Sequence, residues 1–206
     1  MKIIKNKKFF EWHGLKKDMK YFLILFLIAP ALGIIAAIIS TTIYNRDSSS
    51  AVDVIEKFYP GYALIEVDEL DSYAKDYFKK DYPNKSPSLI HSDFDGNGFL
   101  DFAFLLRNKK SKDAKTIFTI FLQSKKNKFN LAYYLNLEIY RDDVYIVPIE
   151  PGVLVSEVEC CGDDDKPTKK IHLKNTAVEL FYVGKASVAF YWDSKKNYFD
   201  TIATSD

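Results

Sequence analysis

Residues 88–106 read SLIHSDFDGNGFLDFAFLL, two apolar runs around a polar insert. In the runs, branched and aromatic side chains recur with a period near two, which predicts strands. The insert at 93–101, DFDGNGFLD, is rich in Asp, Asn and Gly, residues that accept left-handed backbone and bond to their own main chain. Strand, tight loop and returning strand predict an antiparallel hairpin. Oxygen-bearing side chains stand at the first, third, fifth and ninth places of the insert: Asp93, Asp95, Asn97 and Asp101. A glycine, Gly98, stands at the sixth. A hard cation such as Ca²⁺ takes about six to eight oxygen ligands, and a glycine at this place lets the loop curl around one centre. The alternative, a hairpin turn with no metal, stays open from these residues alone.

Outward from this hairpin the chain stays strand-like. Runs at 116–123, 129–140, 143–150, 152–159, 170–174, 177–183, 186–193 and 198–204 are rich in Val, Ile, Tyr, Phe and Thr. Turn signals such as SKKNK and DSKKN separate them, as in an antiparallel meander. Pro148 and Pro151 predict an edge strand or a break. Upstream, residues 53–59 start a helix before Pro60-Gly61, and residues 62–70 read as a strand running into a helix. Residues 69–80 form a second helix, with Asp71 as N-cap and an expected apolar face of Leu70, Tyr73, Tyr77 and Phe78. The fold class expected is α+β: an N-terminal transmembrane helix, then a mainly antiparallel β-sheet domain with one or two short helices.

The net charge of +1 hides an asymmetry. Residues 1–46 carry eight Lys/Arg and two Asp/Glu, which leaves 21 basic and 26 acidic residues in 47–206. A mildly acidic domain has no electrostatic case for nucleic acid. Between Tyr21 and Asn45 there is no charge, and residues 21–39 are almost wholly apolar. About 20 such residues span a bilayer core. Seven lysines precede the run, so the N-terminus is expected inside. A cleaved signal peptide is the rival reading, since Ala29-Pro30-Ala31 and Ala31-Leu32-Gly33 offer small residues at cleavage spacing. Apolar residues continue past Gly33, which suits an uncleaved anchor better. The expected organisation is a basic cytoplasmic tail (1–20), a transmembrane signal-anchor helix (21–45), a linker (46–52) and an extracytoplasmic β-rich domain (53–206).

The loop is not an EF-hand. Phe104 stands at the twelfth place, where a bidentate glutamate is needed, and the flanks are strands. The pattern D-x-D-x-N-G-x-x-D followed by FAFLL instead resembles the cation loop of FG-GAP repeats, the hairpin units of integrin-type propellers. That resemblance implies Ca²⁺ ligation by Asp93, Asp95, Asn97 and Asp101, with the backbone carbonyl of Phe99 at the seventh place. There is a single copy, whereas a propeller needs several blades. Most of residues 55–206 resembles a group of small bacterial exported or membrane-anchored proteins of uncharacterised activity. The features that carry this are the PGY segment, DFDGNGFLDFAFLL and the closing ASVAFYWDSKKNYFDTIATSD. The resemblance implies a compact β-rich fold with one such loop.

Other candidate residues are less telling. Cys160 and Cys161 are adjacent, and the Cα spacing of about 3.8 Å makes a bridge between them strained. Glu157, Glu159, Asp163, Asp164 and Asp165 around them read as a solvated acidic run or a second cation site. His91 is expected half-buried on its strand, His172 solvent-facing, and Tyr191 and Trp192 in the core rather than on a binding rim. No G-x-S-x-G, HExxH or Walker A motif occurs. Three functions follow as expectations: a tethered module binding an envelope protein or glycan, an assembly component of an envelope complex, or a hydrolase of envelope polymer.

Overall fold

The computed structural model describes residues 50–109, 115–137, 142–156 and 169–205. The chain divides into two units, Met1–Ser50 and Ala51–Asp206, and the fold is that of the second. It is mainly antiparallel β-sheet with two helices. Among the described residues no helix is long and apolar enough to cross a membrane. The expected span at 21–45, the cysteine pair and the acidic run at 157–165 lie outside the described residues.

The 88–106 hairpin lies at the centre. Its arms are β2 (Leu89–Ser92) and β3 (Asp101–Asn108), paired antiparallel from Ser92↔Asp101 to Leu89↔Phe104. The far end of β3 pairs with β1 (Tyr62–Leu64), so β1 and β2 share one edge of it. On the other edge come β4 (Thr116–Lys125) and then β5 (Lys128–Asn136). The second sheet has the order β11 (Tyr198–Ser205), β10 (Ala186–Asp193), β9 (Ala177–Tyr182), β6 (Val144–Ile149). Pro148 lies in β6, an edge strand, as its missing N–H requires. A short ribbon of β7 (Leu154–Ser156) and β8 (Lys170–His172) interrupts the meander between β6 and β9.

Layering follows from burial. β3 is buried on both faces, so it reads as a nearly continuous apolar run. Ala103 and Leu105, with Phe118 and Ile120 of β4, enter a core shared with Ile146, Leu180 and Phe190 of the second sheet. The Phe118 and Phe190 rings meet at 4.7 Å across it. On the opposite face Phe102, Phe104 and Phe121 are covered by Ala51, Val54 and Ile55 of helix α1 (residues 50–58). These three sit at i, i+3 and i+4, one stripe of a helix. The helix thus takes in residues 50–52, which the serine-rich composition predicted as linker; burial of Ala51 completes the stripe. Beyond the second sheet, Ala177, Ala189 and Ile202 pack with Val155 and Leu173 of the ribbon region.

Helix α2 (Ser72–Asp81) begins at Asp71, whose side chain accepts from the Ala74 N–H at 2.7 Å. Its buried face differs from the expected one. Ala74 and Phe78 are buried, with Leu70 just before the helix, whereas Tyr73 and Tyr77 are 55% and 44% exposed. Both sets have helical spacing, and the smaller Ala74 allows the closer approach to the core.

Candidate metal centre

The loop between β2 and β3 is built by its own side chains. The Asp93 Oδ1 accepts from the Gly96 N–H (2.8 Å) and the Asn97 N–H (3.0 Å), and its Oδ2 accepts from the Gly98 N–H (2.8 Å). Asp95 Oδ1 accepts from the Asn97 N–H at 3.1 Å. Gly96 and Gly98 adopt φ of 79° and 85°, the left-handed turns that let the backbone wrap around Asp93. Three carboxylates converge: oxygens of Asp93, Asp95 and Asp101 all lie within 4.8 Å of one another.

Asp101 is the buried member, with no exposed surface. Its Oδ2 accepts from the Phe94 N–H at 2.8 Å and its Oδ1 from the Gln123 N–H at 2.7 Å. It therefore ties the loop to β4. Burial pushes its carboxyl up to about 7, against the pull of the two N–H donors; the Asp95 and Asp93 charges add to the rise. Burial likewise raises Asp95, with the Asn97 N–H opposing it and Asp93 adding. Among the described residues no Lys, Arg or His forms an ion pair with any of the three.

A hard cation fits this donor set. It would relieve repulsion among three close carboxylates and hold the buried one ionised. Asp93, Asp95 and Asp101 would hold it, each carboxylate having further lone pairs beyond its backbone bonds. Asn97 is turned to the loop itself: its Oδ1 accepts from the Phe99 N–H at 2.7 Å, and its Nδ2 donates to Asp95 Oδ2 and to the Gln123 carbonyl, both at 3.0 Å. Phe99 enters only through its main chain; its ring is 39% exposed.

The second sheet grips the loop. Asn175 Nδ2 donates to the Phe94 carbonyl at 3.0 Å, and Ser92 Oγ donates to Thr176 Oγ1 at 2.8 Å. The Phe94 ring is fully buried against Phe199, centroids 6.4 Å apart. Gln123, Asn175 and Thr176 are far from the loop in sequence and no local motif announces them.

His91 is exposed, not half-buried, and lies outside the acidic cluster. Strand β2 runs along an edge of the sheet, so only Ile90 of its four residues is buried. His172 is exposed as expected. Tyr191 is 9% exposed, whereas Trp192 is half-buried, edge-on to Phe199 at 5.3 Å, and both also line a cleft of about 300 Å³ beside residues 169–175. Comparison of the chain with family models, curated proteins and solved structures finds no match.

Proposed function

We propose that this chain is a membrane-tethered, extracytoplasmic binding protein whose 93–101 loop holds a structural calcium ion. One observation carries the metal reading: three carboxylates converge within 4.8 Å with no described basic partner, and one of them is fully buried. Their lines run to the framework. Asp101 bonds β4, and the residues between the carboxylates are gripped from the second sheet. An ion here pins a hairpin to its surroundings. A buried carboxylate committed to two backbone amides is poorly placed to reach a polymer, which favours a structural ion over a catalytic one. Tethering rests on the uncharged stretch 21–45 and the lysines before it. The partner would be an envelope protein or glycan.

The ion is tested by melting the full chain in mild detergent with calcium and with chelator. A ligand bound only to the folded state adds RT ln(1 + [L]/Kd), about 2.7 kcal/mol at about 100 times Kd. For a domain of this size that is about 5–10 °C in Tm. The Asp95→Asn variant should lose most of the shift. An unchanged melt in chelator would make the loop a plain turn.

A further inference from the structure

A cleft of about 320 Å³ opens between α2 and the turn from β9 to β10, at the end of β9 away from the acidic loop. Tyr73 and Tyr77 form its outer rim, Tyr82 and Phe181 its walls, and the nearly buried Tyr145 its floor. Its volume falls in the range of small-ligand sites. The rings do not form one plane. Tyr73 and Tyr77 meet at 61°, with centroids 4.8 Å apart, and Tyr82 and Tyr145 meet at 60°, while Tyr145 stacks on Phe181 at 24° with centroids 5.2 Å apart. The π-faces of such rings attract a compact cation.

The charges agree. Asp81 lines the cleft and forms no ion pair among the described residues. Lys185 also lines it, but its Nζ lies 3.0 Å from Asp143 Oδ2, so that charge is matched. Glu179 lies close enough, with Asp81, to act on both Tyr82 and Tyr145. Burial pushes the Tyr145 hydroxyl up to about 12, with Tyr82, Asp81 and Glu179 adding to the rise. Burial, Glu179 and Asp81 raise Tyr82 in the same way. The cleft is therefore aromatic, with one carboxylate, Asp81, that no ion pair among the described residues matches.

We propose that this cleft binds an alkylated ammonium group, seated among the tyrosine faces with Asp81 as its counter-charge. An alkylated ammonium has little need of hydrogen bonds and makes use of ring faces. The one pair of hydroxyls at the rim is already engaged, Tyr73 Oη donating to Tyr77 Oη at 3.3 Å. No loop ligand takes part, so this stands apart from the calcium reading.

The test is calorimetric titration of the full chain in maltoside detergent with tetramethylammonium, with choline, and with 3,3-dimethylbutan-1-ol, the neutral carbon isostere of choline. Both cations should bind saturably, and the isostere at least about tenfold more weakly. Tyr77→Ala and Asp81→Asn should each weaken the cations about threefold or more, in keeping with the worth of one ring or one charge. Tyr77 is exposed, so an unchanged melting curve will show that the fold is intact. Equal binding of choline and its isostere would reduce the site to an apolar cleft. Absence of saturable binding by either cation, or full affinity in Tyr77→Ala, would equally overturn the proposal.

Discussion

Asp101 answers to two opposed demands. Burial favours its neutral form, while its bonds from the Phe94 and Gln123 amides favour the ionised one. With its carboxyl raised to about 7, the folded chain holds that proton more tightly than the unfolded chain, where Asp titrates near about 3.9. The associated stability is complete below about pH 4 and is lost as pH rises through about 7. In chelator, the melting temperature should therefore fall between about pH 5 and pH 7. On the proposed calcium reading, saturating calcium would take the place of the proton and should flatten that fall. Parallel profiles with and without calcium would take the ion out of the loop.

At the scale of the element, the hairpin loop separates two glycines that look alike in sequence. Both have positive φ, but a Cβ on Gly96 would come within 3.1 Å of the Asn175 side chain, whereas at Gly98 it would meet open space. Gly98→Ala should cost about 1 kcal/mol, the conformational penalty alone. Gly96→Ala should cost about 1 kcal/mol more, because it also crowds a bond to the second sheet. Urea unfolding of the two variants gives the comparison; equal losses would mean that Asn175 yields freely. Local chemistry made this loop readable: Asp93 reaches its partners within five residues. The same holds for the Asp71 cap and for Pro148 on an edge strand. Asn175 and Thr176 were not readable, because an Asn-Thr pair before a strand has no local mark and its role arises only when the sheets meet. Tyr73 and Tyr77 were misread for a related reason. Spacing of three and four residues defines a stripe but not its burial, and Ala74 took the core-facing place beside Phe78.

For the whole molecule, Phe118 is one of the buried side chains in the core that the two sheets share, its ring against Phe190. Phe118→Ala should lower the unfolding free energy by about 3–5 kcal/mol through lost burial and the cavity left behind. One core serves both sheets, so fluorescence of Trp192 in the second sheet, read in a Trp12→Phe background, and circular dichroism from both sheets should report a single shifted transition; two separate transitions would count against a shared core. The grip on the acidic loop also bears on the order of events in folding. Bonds inside the loop join residues two to seven apart, whereas Asn175 to Phe94 closes a span of 81 residues and Ser92 to Thr176 one of 84. Closure of such spans costs more chain entropy, so the loop can take shape while the second sheet is still unassembled. Asn175→Ala should therefore accelerate unfolding and leave the refolding rate nearly unchanged, as read from both arms of a stopped-flow chevron. On this schedule the acidic loop is shaped before the later strands close over it, so the proposed ion would meet an open site.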